Sequence, residues 1–254
     1  MDNIDKVKDL QSFIEKEALE ATEKIWKDII TKKYNALSPV DKPEGIVTGG
    51  TPGAGKSVFV ELAKERLNNN LLVIDGDQFR RYHPNFAKLQ KLVGSDIAFV
   101  TGPFYGKMVR NILAKATKHK YNVIIESTFK SVDSPLDYLK ALKAAGYTTT
   151  VNIVAVDKEV AWQSTIERKM KMVEQGLPAR SVDRNYFDQT AANLAENAEK
   201  VYKTGLVDKL EVRNRTTRLF DSRLNDISQL QNIIKKELGL LKQVSKLIDN
   251  GMSK

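Results

Sequence analysis

The sequence predicts an α/β fold, a mostly parallel sheet with helices on both faces and helical extensions at its N- and C-terminal ends. Three observations carry that expectation. Short apolar runs alternate with segments of helical periodicity, which is the pattern of strands joined by crossover helices. A glycine-rich stretch stands between one such run and one such helix. Acids or hydroxyl residues close two further runs, and in sheets of this kind ligands bind beyond the carboxyl ends of the strands.

Taken in order, residues 5 to 36 place Val7, Leu10, Ile14, Leu19, Ile25, Trp26, Ile29 and Ile30 near helical spacing, and Ser38-Pro39 through Pro43 ends those helices. Ile46-Val47 leads into the glycine stretch, and residues 58 to 67 continue it as a helix. Asn68-Asn69-Asn70 reads as a turn, and Leu71 to Ile74 as a buried strand ending at Asp75-Gly76-Asp77. A polar, irregular stretch with His83-Pro84 follows. A helix is expected over about 103 to 119, then a strand from Asn122 to Ile125 that ends at Glu126. Ser134 and Pro135 read as N-cap and first residue of a helix through Ala145, closed by Gly146. Then come a strand over 149 to 156, a helix over 159 to 173, a loop through Gly176 and Pro178, a helix to about Lys203, a strand near Leu210-Glu211-Val212 and a terminal helix from Ile227. The expected organisation is one globular unit, with an N-terminal helical extension over 1–43, a core over 44–223 and a C-terminal helical segment over 224–254.

The most informative stretch is Gly50-Thr51-Pro52-Gly53-Ala54-Gly55-Lys56-Ser57, which fits G-x-x-x-x-G-K-[ST] and has the strand before it and the helix after it that this pattern needs. Its glycines let the backbone turn through positive φ, so that N–H groups and a helix N-terminus surround a polyphosphate. Lys56 would reach the β- and γ-phosphates of ATP and the Ser57 hydroxyl would ligate Mg²⁺. The core is therefore expected to be a P-loop kinase or NTPase.

Composition narrows the class. The chain has 254 residues, 41% of them hydrophobic, enough for a sizeable core, and it has no cysteine, which excludes disulfides, a thiol nucleophile and cysteine-ligated metals. Nothing resembles a signal peptide or a membrane helix, so a cytoplasmic protein is expected. The formal charge is +9. The basic residues alternate with acids along helices and do not interleave with aromatics, so they read as solvated faces rather than a nucleic-acid surface.

Three constellations stand at the strand ends. Asp77 could accept a proton from a substrate hydroxyl or help position the metal, whereas Asp75 reads better as a helix cap. Glu126 with Thr128 would bind the hydroxyls of a polar acceptor in a kinase. In an ATPase the same run would end a Walker B strand, but such strands usually carry an Asp that is missing here. Arg168, with Arg180 across a Gly/Pro loop, offers guanidinium forks for the charge that develops on a γ-phosphoryl group. His83 and His119 lack metal-ligand spacing. Tyr186, Phe187 and Tyr202 read as core.

In this order the residues Gly50 to Ser57, Val73 to Arg80 with His83-Pro84-Asn85-Phe86, Tyr121 to Thr128, and Thr165 to Arg168 with Ala179-Arg180 resemble the zeta toxin family over roughly residues 45 to 215. The Asp-x-Asp-x-Phe-Arg block followed by His-Pro is the specific part. The resemblance implies a toxin of a bacterial toxin–antitoxin system that uses ATP and Mg²⁺ to phosphorylate the sugar 3′-hydroxyl of UDP-N-acetylglucosamine, which blocks peptidoglycan precursor synthesis. It makes Lys56 the phosphate lysine, Asp77 the general base, Glu126 and Thr128 acceptor-binding residues, and Arg168 and Arg180 γ-phosphate clamps. It also implies a small helical antitoxin as partner. The chain departs from the family at Ser127, where a glycine is common, and at Phe129-Lys130, where an arginine is common. Lys130 brings a point charge to the acceptor site in place of a bidentate fork. Another UDP-sugar or a dinucleotide acceptor, a nucleotide switch or ATPase, and an inactive interaction module remain alternative readings.

Overall fold

The computed structural model describes residues 3–32, 37–176 and 181–241. Two helices come first, α1 (Asn3–Gln11) and α2 (Glu15–Lys32). Strand β1 (Glu44–Gly49) runs into the glycine loop, and α3 (Ser57–Arg66) leaves it. Strand β2 (Leu72–Ile74) is followed by α4 (Gly76–Phe79), α5 (Phe86–Val93) and α6 (Ile97–Val100), then by the long α7 (Gly102–Lys118). The remainder is β3 (Val123–Glu126), α8 (Asp133–Ala144), β4 (Thr148–Val154), α9 (Lys158–Glu174), α10 (Arg184–Tyr202), β5 (Lys209–Arg213), β6 (Arg218–Asp221) and α11 (Leu230–Glu237).

The six strands lie in the order β2-β3-β1-β4-β5-β6, and the first five are parallel. Alternation along the strands sorts their side chains to two faces. Val47, Ile74, Ile125, Val151, Ile153 and Leu210 join α7, α8 and α10 in the main core, while Ile46 and Ile124 pack against Val60 and Ala63 of α3 on the other face. β1 is central, with Thr48 level with Glu126 of β3 and Gly49 level with Ile153 of β4. That register puts the end of β1, and so the glycine loop, beside the ends of its two neighbours.

α2 is part of the main core. Ala18, Ala21, Ile25 and Ile29 are buried in the same cluster as the sheet, and the Thr22 hydroxyl lies 3.7 Å from the Met108 sulfur on α7. Ile25 and Ile29 alone contribute about 1.5–3 kcal/mol each by leaving water. α11 does likewise through Leu230 and Ile234.

Several local expectations need correction. The stretch from Gly76 to Val100 is built of three short α-helices and two 3₁₀ turns, Arg80–Tyr82 and Gly94–Asp96, the first helix capped by the Asp75 side chain, which accepts from the Asp77 N–H at 3.0 Å. α8 starts at Asp133 with Val132 at its cap, so Ser134 is inside the helix; Gly146 ends it at φ +81° as expected. The C-terminal helix is preceded by a 3₁₀ turn over Ile227–Gln229 capped by Asp226. The antiparallel edge strand β6 was not anticipated.

Candidate active site

The glycine loop has the backbone its residues require. Gly50, Gly53 and Gly55 have φ of +145°, +78° and +95°. A Cβ on Gly50 would come within 2.6 Å of the Val154 carbonyl oxygen, and one on Gly53 would run into the carbonyl of Ala161 on α9. Ala54 N–H donates to the Thr51 carbonyl at 3.2 Å, which tightens the turn, while the N–H groups of Gly53, Gly55, Lys56 and Ser57 meet no acceptor among the described residues. Unspent donors at the N-terminus of a ten-residue helix are the chemistry an anion calls for. Lys56 Nζ donates to the carbonyls of Gly50 and Thr51 at 3.0 and 3.1 Å, folded over the loop. Burial pulls this ammonium below the usual lysine range, and Glu126, Asp77 and Asp75 oppose the shift.

These acids belong to the ends of β3, which pairs with β1, and of β2, which pairs with β3. Glu126 closes β3, and Asp75 and Asp77 follow β2. Burial, chiefly, and then Asp75 hold Glu126 above the usual carboxylate range, with Lys56 and Arg168 pulling the other way. Arg168 is exposed on α9, and its charge acts on both Lys56 and Glu126. Arg180 lies outside the described residues. No cluster of three or more acids or histidines able to hold a metal by itself is present among the described residues. The donor set fits Mg²⁺ held by the Ser57 hydroxyl together with phosphate oxygens of the substrate, which is the usual way this ion is bound.

Two further acceptor candidates, Thr128 and Lys130, follow the end of β3 next to the loop. Ser127 N–H donates to the Thr48 carbonyl at 3.1 Å and Gly50 N–H to the Thr128 carbonyl at 3.4 Å, so the end of β3 is sewn to the end of β1. Phe129 then turns at φ +58°, rare for a bulky residue, with its ring fully buried. Asn197 of α10 holds that turn by donating to the carbonyls of Phe129 at 2.9 Å and Lys130 at 3.0 Å. The strain is stored where Thr128 and Lys130 are presented.

Sequence reasoning missed three residues. Tyr186 of α10, expected in the core, is partly exposed; its hydroxyl is 3.0 Å from the Thr128 hydroxyl, and Lys130 Nζ stands 4.5 Å above its ring. Arg215, in the turn between β5 and β6, donates to the Gly53 carbonyl at 2.8 Å and to the Ser164 hydroxyl of α9 at 2.8 Å, tying the loop to the helix that carries Arg168. Arg80 pairs with Asp77 at 2.9 Å. The one usable signal was the i, i+3 spacing of Asp77 and Arg80, since the other contacts are long-range.

His83 is structural in its contacts. It is buried, its Nδ1 accepts from Asn85 N–H at 3.1 Å, and its Nε2 is 3.2 Å from the Gln11 carbonyl, which fixes the neutral tautomer with Nε2 donating. Burial lowers its pKa.

A model of the zeta toxin family matches residues 27–225. The chain belongs to the zeta toxin family. It is 32% identical over 199 residues to Toxin zeta of Streptococcus agalactiae, covering 76% of this chain and 69% of that one. It is 27% identical over 240 residues to Toxin PezT of Streptococcus pneumoniae serotype 4, covering 94% and 93%. A solved structure from the PezAT chromosomal toxin–antitoxin system of Streptococcus pneumoniae shares the fold, with a TM-score of 0.77 at 24% identity over 96% of this chain and 99% of that one. The zeta toxin core thus extends here from the last turns of α2 through β6. Among the described residues no helix is long and apolar enough to cross a membrane.

Proposed function

We propose that this chain is an ATP-dependent kinase that phosphorylates the sugar 3′-hydroxyl of UDP-N-acetylglucosamine, and that it acts as the toxin of a toxin–antitoxin pair in the cytoplasm. The observation that carries the kinase reading is the juxtaposition of Asp77 and Glu126, from neighbouring strand ends, with Lys56 and Arg168 beside one phosphate-binding loop. Membership of the zeta toxin family supports the choice of acceptor and the toxin role.

In this reading the loop from Gly50 to Ser57 holds the ATP phosphates, and Lys56 turns from the loop carbonyls to their oxygens. Mg²⁺, ligated by Ser57, neutralises phosphate charge when bound. Asp77 takes the proton of the acceptor hydroxyl as its oxygen bonds to the γ-phosphorus, the bond to the β–γ bridging oxygen breaks, and ADP leaves. Arg168 and Arg180 stabilise the charge on the equatorial oxygens, while Glu126, Thr128 and Lys130 orient the acceptor. Because Ser127 and Lys130 depart from the family pattern, and Lys130 is seated on Tyr186, another UDP-sugar or nucleotide-linked acceptor is the second reading.

Incubation with Mg-ATP and a panel of UDP-sugars, followed by mass spectrometry of the small molecules, decides between them. Phosphorylated UDP-N-acetylglucosamine is the expected product. Release of inorganic phosphate with every sugar unmodified would instead identify an ATPase or switch. The proposed partner is a small helical, acidic antitoxin that covers the cleft, in keeping with the net charge of +9. Expression of the chain alone in a peptidoglycan-making host should arrest growth, and harmless high-level expression would remove the toxin role.

A further inference from the structure

We propose that Arg80 is the positioning residue of the Asp77 carboxylate, a guanidinium fixed in the cleft wall that holds the base where the acceptor hydroxyl arrives. The inference rests on the kinase reading and deepens it.

Arg80 follows Asp77 by three residues, so the two side chains lie on one side of a helical turn. Its Nε donates to Asp77 Oδ1 at 2.9 Å. The other branch of the fork reaches away from the acid: Nη1 donates to the Ala98 carbonyl of α6 at 2.8 Å and to the Thr101 hydroxyl at 3.0 Å. Thr101 spends its own proton on the Ile97 carbonyl at 2.6 Å, so towards Arg80 it can only accept. The guanidinium carbon stands 4.5 Å from the centre of the Tyr105 ring of α7. The same ring forces a glycine before the acid, because a Cβ on Gly76 would run into Tyr105 and Val109.

The contrast with an ordinary surface pair is in burial and in the number of constraints. The Arg80 side chain is 12% exposed, whereas that of Asp77 is 44% exposed. An exposed pair of long side chains is worth little because both ends are free to move. Here the cation is fixed by two acceptors and one ring from outside its own helical turn, and the carboxylate alone faces the cleft. A lysine could not substitute, because one ammonium on a flexible stem cannot satisfy Asp77, Ala98 and Thr101 in this planar arrangement. The Asp77 charge also acts on Glu126 of β3, Lys56 of the loop and Tyr105 of α7, and its N–H donates to Asp75 of its own turn at 3.0 Å. Carboxylates gathered this closely repel one another, and a cation touching one of them fixes which way it points.

The experiment compares wild type, Arg80→Gln and Arg80→Lys in the full chain. It reads kcat and both KM values from phosphorylated UDP-sugar by mass spectrometry, the Kd of Mg-ATP by calorimetry, and Tm. Arg80→Gln should lower kcat by about 10²-fold, the scale of a catalytic group displaced by an ångström. The ATP Kd should be unchanged and the Tm near that of wild type. Arg80→Lys should recover part of kcat and stay below wild type. Wild-type kcat in either folded variant would overturn the inference, and so would a loss of kcat that only tracks a loss of ATP binding or of folded protein. If neither variant folds, the role is structural and the inference fails. Failure of the kinase reading is distinguishable, because wild type would then phosphorylate no sugar nucleotide.

Discussion

On one side of the cleft the chain works with backbone, and on the other with side chains. The nucleotide side is eight consecutive residues whose three glycines adopt positive φ and whose N–H groups stand at the start of α3. The proposed acceptor side is assembled from the turn after β2, the end of β3, the strained turn at Phe129 and the first turn of α10. A backbone cradle recognises any polyphosphate, because peptide N–H groups are the same in every residue. Side chains brought from four places recognise one shape and can be changed one at a time. In the proposed reading the comparison teaches that phosphate binding and the choice of acceptor are held by separate parts of this molecule.

The largest expected effect breaks the comparison at its chemical centre. Asp77→Asn keeps shape and hydrogen bonding but removes the proposed base, so transfer should fall by about 10²-fold or more while Mg-ATP binding by calorimetry is retained. Equal transfer rates in the two proteins would end the assignment of Asp77. Next comes the backbone side. Gly53→Ala adds a Cβ against the Ala161 carbonyl at a φ of +78°, and the strain should cost about 1–3 kcal/mol, visible as a lower Tm and weaker ATP binding. Unchanged ATP affinity would mean that the loop does not need its backbone shape.

A smaller change sharpens the acceptor side. Tyr186→Phe removes only the hydroxyl that meets Thr128, a hydrogen bond worth about 0.5–1.5 kcal/mol, so the acceptor KM should rise by up to about tenfold with the ATP KM unchanged. A rise in the ATP KM instead would move Tyr186 to the other half of the cleft. The smallest effect lies outside both. His83 is neutral in the fold, with a pKa below the 6.5 of an unperturbed histidine, so the unfolded chain binds more protons as pH drops below that value. Its contribution to stability is present above about pH 6.5 and is lost as the pH falls through the folded pKa. Thermal melts of wild type and His83→Gln between pH 7.5 and 5.5 should therefore converge on acidification, and parallel curves would exclude it.

The legibility of the sequence follows the same division. The loop could be read because its chemistry is local: a strand, eight residues and a helix suffice. Asp77 and Glu126 could be found by the rule that ligands bind where parallel strands end. Asp75 was legible as a cap because capping acts over two or three residues. Tyr186 was not, because it meets Thr128 only through the packing of α10 across 58 residues of chain, and an aromatic at helical spacing reads as core. Arg215 reaches Gly53 across 162 residues. β6 escaped because an edge strand of four residues, Arg218 to Asp221, is too short to show alternation. The short helices around and after Asp77 escaped because α4 and α6 are single turns of four residues, too short for a hydrophobic period to repeat.

The burial of α2 ties its packing to the order of synthesis. Its buried face has to wait for α7, since Thr22 meets Met108 86 residues later, and the central strand β1 is unpaired until β3 and β4 have been made. At a synthesis rate of ~5–20 residues per second, the chain needs roughly ten seconds to run from α2 to the end of β4. Throughout that interval the glycine loop exists as sequence but lacks the neighbours that shape it, so a nascent chain cannot transfer phosphate. A copy lacking α2 would lose the Thr22 contact to Met108 and uncover the part of the core that Ala18, Ala21, Ile25 and Ile29 close. In the proposed reading, the antitoxin that restrains the finished enzyme has the length of one round of translation in which to be waiting.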